Sequence, residues 1–272
     1  MIKKVDMKNI EFYKYQGTGN DFVLVDNREG SFDGDNNELI AALCHRRFGI
    51  GADGLMLLET SDKNSFTMRY YNSDGGEATM CGNGGRCIAA FAVHRGVVPE
   101  KVYFSFDAVD GVHEAFVDGD MVSLKMIDVA GYEEKQDGLF LDTGSPHFIK
   151  FVDNPEVVDV FKEGSFWRNH DVFAPGGTNV NFVGNPDGKE VAMRTFERGV
   201  EDETWSCGTG AVASAIATYI RSGAGKCFDM KVPGGKLTVS FDVVKSGGFE
   251  NVWLKGPAKY VFSGQIDAEP IL

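Results

Sequence analysis

Two of the five cysteines in this chain stand in copies of one short pattern. Residues 77–84 read EATMCGNG and residues 203–210 read ETWSCGTG. Cys81 and Cys207 therefore each follow a glutamate by four positions and precede glycines by one and three. The match runs on to an alanine eight residues after each cysteine, Ala89 and Ala215, and to an arginine fourteen after, Arg95 and Arg221. Two thiols in equivalent settings suggest a pair that serves one substrate. A carbon acid is inverted when a base removes its proton from one face and an acid returns a proton to the other. A thiolate and a thiol fill those roles once each titrates near neutral pH.

The elements that must position such thiols can be read from the same stretches. GGRCIAAFAVHR and GAVASAIATYIR, residues 84–95 and 210–221, are about three helical turns each. Both are apolar on almost every side, which predicts helices wrapped by sheet rather than lying at a surface. Gly96 and Gly223 supply the stops. The cysteines then fall at helix N-termini, where unpaired N–H groups and the positive end of the dipole favour thiolate and can hold a carboxylate. Negative charge spreading onto an amino acid's carboxylate as its α-proton leaves would be stabilised there.

Aromatic and β-branched alternation predicts strands at 12–15, 22–26, 55–59, 66–71, 102–106 and 112–117, with a helix at 39–48. Comparable strands follow at 140–142, 148–152, 179–183, 191–197, 237–241 and 252–255. A second echo, GNDFVLVDN at 19–27 against GSPHFIKFVDN at 144–154, supports an internal repeat. Two halves are expected, 1–128 with 259–272 carrying Cys81, and 129–258 carrying Cys207.

Composition narrows the function class. A hydrophobic content of 43% belongs to a globular protein. A net charge of −13 with no basic patch argues against nucleic acid or an anionic membrane as partner. No apolar run approaches a membrane span and the opening MIKKVDMKNIEFYKY lacks a signal peptide's apolar core, so a cytoplasmic protein is expected. An odd number of cysteines without a Cys-x-x-Cys pair argues against a disulfide framework and against zinc. Gly17-Thr18-Gly19-Asn20-Asp21-Phe22 has two glycines of a dinucleotide fingerprint, but Phe22 replaces the third and no helix pattern follows. No cofactor and no metal are expected.

Taken in order, GTGNDF at 17–22, NSDG at 72–75, MCGNGGRC at 80–87, GSPH at 144–147, TNVNF at 178–182, ERG at 197–199 and SCGTG at 206–210 resemble the diaminopimelate epimerase family. The resemblance spans residues 13–264. It implies a pyridoxal-independent isomerase that interconverts LL- and meso-2,6-diaminopimelate for lysine and peptidoglycan precursors. It implies an α/β (α+β) fold of two pseudo-symmetric domains, each a mixed sheet curled around a central helix, with the site in the cleft between them, and a homodimer.

Carried over position by position, the resemblance makes Cys81 and Cys207 the acid/base pair, with His147 and Glu197 biasing their protonation. Gly82, Asn83, Gly208 and Thr209 would hold the reacting carboxylate through main-chain N–H groups. Asn20, Asn72, Asn179, Glu197 and Arg198 would bind the rest of the substrate, with Arg198 a fork suited to a carboxylate. Two positions depart from the family pattern. Ser145 stands where many members carry an asparagine, and Phe262 where a dimer-contact tyrosine is common.

Proline racemases and related 2-epimerases share the two-cysteine logic for a substrate with one carboxylate, whereas the asparagine set with Arg198 suggests a second charged group. Phenazine-biosynthesis isomerases share the fold without the cysteine pair. A thiol redox or metal-binding module would carry closely paired cysteines, and none are present.

Overall fold

Alternation of apolar and polar residues near the start of the chain produces a hairpin, β1 (Ile10–Gly17) and β2 (Asn20–Asp26), turned by Thr18 and Gly19 at positive φ. The computed structural model describes residues 9–184, 190–223, 225–245 and 247–267. Residues 1–8, which begin the stretch read for a leader, and 268–272 of the C-terminal return lie outside the described residues. Contacts divide the chain into two compact units, Met1–Leu124 with Pro257–Leu272, and Lys125–Gly256.

In the first unit the hairpin is followed by helix α1 (Asn37–Cys44), then β3 (Gly54–Glu59), parallel to β2, and β4 (Thr67–Asn72), antiparallel to β3. The two-residue β5 (Glu77–Ala78) pairs with β4 and leads into helix α2 (Gly82–His94). Strand β6 (Tyr103–Ala108) lies parallel to β4 and continues antiparallel into β7 (Gly111–Asp118) and β8 (Met121–Lys125).

The second unit repeats that plan. Its strands are β9 (Glu133–Lys135), β10 (Gly138–Asp142) and β11 (Pro146–Phe151), then helix α3 (Val160–Arg168), β12 (Asn179–Val183), β13 (Glu190–Glu197) and β14 (Asp202–Thr204). Helix α4 (Gly208–Ser222) and strands β15 (Cys227–Val232), β16 (Gly235–Val243) and β17 (Phe249–Pro257) complete it. The last strand, β18 (Lys259–Ile266), returns to the first unit beside β1, as β9 lies beside β10. Pairing directions agree step for step, including the two parallel pairs of each unit, β2–β3 with β4–β6 and β11–β12 with β13–β15. In register, Phe22 opposes Gly54 just as His147 opposes Asn179, each residue 125 positions before its counterpart.

The core of each unit is its long helix. In α2 every residue from Gly82 to Ala92 is buried, and in α4 every residue from Gly208 to Thr218 except Thr209. Sequences without a polar stripe can be stable only with neighbours on all sides. Here α2 packs on β1, β2, β3 and β7, and α4 on β10 to β13, β15 and β16. Buried side chains such as Ile88, Phe91 and Ile216 each contribute roughly 1.5–3 kcal/mol. Both helices stop at glycines in the left-handed region, Gly96 at φ 67° and Gly223 at φ 68°. The fold is thus a sheet-dominated α/β arrangement of two like units. No helix among the described residues is long and apolar enough to cross a membrane.

The structure corrects the sequence reading in local detail. Helix α1 ends at Cys44 instead of running to 48. His45 turns extended, and its Nδ1 accepts the N–H groups of Arg47 and Phe48, which diverts the chain from the helical path. Strands β5, β8, β9, β14, β15 and β18 and helix α3 lie outside the sequence expectation.

Candidate active site

Each cysteine occupies the N-cap of its unit's central helix. Cys81 has extended φ/ψ of −100° and 150°, and its Sγ accepts the Gly84 N–H at 3.2 Å. The Gly85 N–H bonds to Cys81 O at 2.8 Å, so Gly82 and Asn83 head the helix. Glycine at 84 leaves the sulfur room, since an added Cβ would make a tight 3.2 Å contact with Cys81 Sγ. A sulfur that receives a backbone N–H at a helix start is stabilised as thiolate.

Around Cys81 the first unit gathers three of the expected binding residues. Asn83 Nδ2 donates to Asn20 Oδ1 at 3.3 Å, and Asn20 Nδ2 donates to Asp53 Oδ2 at 2.5 Å. Asn72 ends β4, exposed, and opposes Gly54, which in turn opposes Phe22 two residues after Asn20. Asn20 and Asn72 therefore share one end of the sheet.

In the second unit Cys207 is 7% exposed and heads α4. Its Sγ lies 3.5 Å from Thr209 Oγ1, and Thr209 Oγ1 lies 2.9 Å from His147 Nε2. His147 is fully buried, and loss of solvation, helped by the Arg198 charge, pulls its pKa down to about 3. The ring is neutral at physiological pH, and its tautomer is set by its neighbours. Asn181 Nδ2 contacts Phe148 O at 3.5 Å and His147 Nδ1 at 3.0 Å. A carbonyl only accepts, so the amide presents its NH2 there and Nδ1 accepts. Nε2 then carries the proton and donates to Thr209 Oγ1, which directs the threonine hydroxyl hydrogen toward Cys207 Sγ. Thr195 Oγ1 anchors the far end by donating to Asn181 Oδ1 at 2.8 Å.

The remaining expected residues lie in the same unit. Asn179 Nδ2 donates to Ser145 Oγ at 2.7 Å and to Pro146 O at 2.9 Å, and its Oδ1 accepts the Arg198 N–H at 2.9 Å. Ser145 is thus an acceptor for Asn179. Arg198 Nη1 donates to Gly176 O at 3.3 Å, and Glu197 Oε2 accepts from Thr204 Oγ1 at 2.9 Å. Gly208 is buried at the helix start beside the partly exposed Thr209.

Several contributors escaped sequence reasoning. Thr209 was assigned only a main-chain role, although its hydroxyl links His147 to Cys207. Asn181 and Arg86 sit inside the quoted strings TNVNF and MCGNGGRC, and a polar residue in an otherwise apolar strand or helix was the available signal. Asp53 carried no signal by itself. Burial sets two of the other cysteines apart, pushing the Cys44 and Cys87 thiols up to about 12, whereas Cys227 is exposed on β15.

The family model described as diaminopimelate epimerase matches residues 12–128 and 139–261. A diaminopimelate epimerase from Flavobacterium psychrophilum is 48% identical over 262 residues, covering 94% of this chain and 100% of that protein. One from Chlorobaculum tepidum is 42% identical over 92% of this chain and 98% of its own length. Among solved structures, a PhzF-family phenazine biosynthesis protein from Bacillus anthracis superposes with TM-score 0.75 at 16% identity, covering 95% of this chain and 99% of that one. A hydroxyproline epimerase from Agrobacterium vitis superposes with TM-score 0.67 at 15% identity, over 95% and 91% of the two chains. At such identities the structures speak for the fold alone. The two relatives and the matched family model speak for more: this chain belongs to the diaminopimelate epimerase family, isomerases that interconvert the LL and meso forms of 2,6-diaminopimelate.

Proposed function

We propose that the epimerisation proceeds by a two-base mechanism in which Cys81 and Cys207 are the bases. The observation that carries this reading is the placement of both sulfurs as N-caps of buried helices, within reach of groups that stabilise negative sulfur. One cysteine enters as thiolate and takes the α-proton of diaminopimelate. The electron pair left on carbon delocalises into the carboxylate. The other cysteine enters as thiol and gives its proton to the opposite face, so the thiol and thiolate exchange places and the configuration inverts. Main-chain N–H groups of Gly82, Asn83, Gly208 and Thr209 would bear the charge on the reacting carboxylate. Asn20, Asn72, Asn179, Glu197 and Arg198 would bind the remaining polar groups, with Arg198 matched to the distal carboxylate.

In this reading the halves 1–128 with 259–272 and 129–258 supply one thiol each, and the chemistry uses no cofactor and no metal. His147 and Glu197 influence the thiols without touching the α-carbon. The enzyme would work in the cytoplasm on a small free amino acid, consistent with an acidic surface unsuited to nucleic acid. A homodimer is supported by β18, whose consecutive Tyr260, Val261 and Phe262 are 47%, 52% and 45% exposed.

Reduced protein incubated with LL-diaminopimelate in heavy water, with nothing else added, tests the mechanism. Meso product carrying solvent deuterium at the inverted centre is expected. Failure to exchange the α-proton would overturn the reading, and exchange of proline or hydroxyproline instead would reassign the substrate.

A further inference from the structure

The amides of Asn20 and Asn83 form a short hydrogen-bonded chain whose ends are chemically one-way. At one end Arg86 Nη2 donates to Asn83 Oδ1 at 2.9 Å and to Thr18 Oγ1 at 3.2 Å. Asn83 Nδ2 then donates to Asn20 Oδ1 at 3.3 Å, and Asn20 Nδ2 donates to Asp53 Oδ2 at 2.5 Å. A guanidinium can only donate and a carboxylate can only accept. Neither amide can therefore rotate end for end without setting donor against donor or acceptor against acceptor.

Both ends are themselves fixed. Arg86 is 0% exposed and also donates to Gly82 O at 3.1 Å, tying it to the first turn of α2. Asp53 accepts the Asp21 N–H at 3.2 Å and forms an ion pair with Arg46 at 2.6 Å. Arg46 also pairs with Asp21 at 2.6 Å, and Asp21 with the buried Lys14 at 2.7 Å. The second unit is built otherwise at the matching positions. Thr178, 125 residues after Asp53, turns its hydroxyl to Asn179 O, and Ser145, 125 after Asn20, accepts from Asn179 Nδ2.

We propose that Asp53 is a positioning residue for substrate recognition: by accepting from Asn20 Nδ2 it fixes which polar edge of Asn20 meets diaminopimelate. This rests on the proposed role of Asn20 in substrate binding. Asp53 touches no reacting atom, so its removal is expected in KM and not in the chemical step.

The test is steady-state kinetics on the wild type, Asp53→Asn, Asp53→Glu, Asn20→Ala and the double variant Asn20→Ala/Asp53→Asn, with melting curves alongside. Asp53→Asn keeps the shape but must set its NH2 against either Asn20 Nδ2 or Arg46, so the acceptor no longer fixes the Asn20 amide. It should raise KM about tenfold while kcat stays within about threefold. Asp53→Glu keeps an acceptor-only head and should lie closer to the wild type in KM. In the Asn20→Ala background, Asp53→Asn should change KM by less than about twofold, because the residue through which it acts is gone. An unchanged KM in Asp53→Asn, or effects that multiply in the double variant, would overturn the proposal. Inactivity of the wild-type protein on diaminopimelate would instead overturn the functional reading beneath it, so the two failures are told apart by the wild-type assay.

Discussion

His147 communicates with Cys207 through the hydroxyl of Thr209, with 2.9 Å from ring nitrogen to oxygen and 3.5 Å from oxygen to sulfur. A neutral ring that donates through Nε2 leaves the threonine hydrogen aimed at the sulfur, so the arrangement favours Cys207 as thiolate without transferring a proton from histidine. Thr209→Val removes that hydrogen while keeping the shape. A bond of this kind is worth roughly 1–2 kcal/mol, so kcat should fall about tenfold. The acid limb of its pH profile should move to higher pH, as measured by initial rates across pH. An unchanged profile would mean that the threonine contact has no influence on the thiol.

Cys81→Ala and Cys207→Ala should each lower epimerisation by at least about a hundredfold, the ordinary scale of one general acid or base. Their melting temperatures should stay near that of the parent. In the proposed scheme each variant lacks one base, so following α-deuterium incorporation separately from inversion checks which face each thiol serves. Near-normal inversion by either variant would rule out the two-base scheme.

Burial of His147 has a signed consequence for stability. Its folded pKa of about 3 lies below the ordinary value of 6.5, so the unfolded chain binds the proton more readily. The contribution is fully present above about pH 6.5 and is lost as pH falls toward 3. Urea midpoints should therefore drop between pH 7 and pH 5. In His147→Gln, which retains polar atoms without titrating, that drop should shrink. An equal drop in both proteins would assign the acid sensitivity elsewhere.

Gly210 admits no side chain. An added Cβ would lie 2.5 Å from Asn181 Oδ1 and 3.3 Å from both Cβ and Sγ of Cys207. Gly210→Ala should cost about 1–3 kcal/mol of stability by overpacking and push the Asn181–His147–Thr209 chain out of line. Thermal melts and kcat measured on one preparation check both effects, and a variant normal in both would contradict the packing described.

Much of this could be read from the chain itself, for identifiable reasons. The central helices announced themselves because wholly apolar runs followed by Gly96 and Gly223 admit few other structures, and the N-cap positions of both cysteines followed from counting back. Strand β18 was missed because KYVFSGQI is exposed along nearly its whole length and shows no buried alternation. Helix α3 was missed because Gly164 interrupts its pattern; that glycine is there because a Cβ would lie 2.3 Å from Phe196. At the site, residue types were legible but directions were not. The orientation of Asn20 depends on Asp53, thirty-three residues away, and that of His147 on Asn181 and Phe148 O, all of which only the assembled sheet brings into contact.

The constant spacing between counterparts makes the chain two copies of one structural plan. Phe22 and His147, Gly54 and Asn179, and Asn72 and Glu197 keep the same separation, and the cysteines differ from it by one residue. The two copies therefore differ mainly in side chains, with small length changes such as the extra residue in the β10–β11 turn, where Asp142 opposes Pro146 and Gly17 opposes Asn20. The cysteine motif is alike in both copies, Cys81 and Cys207 each capping its unit's central helix. The flanking positions are unlike, with Asn20 bonded to Asp53 in one unit and Ser145 and Thr178 both turned to Asn179 in the other. Each half thus supplies the other's internal control, and grafting a residue across the 125-residue interval exchanges side chains between equivalent backbone positions.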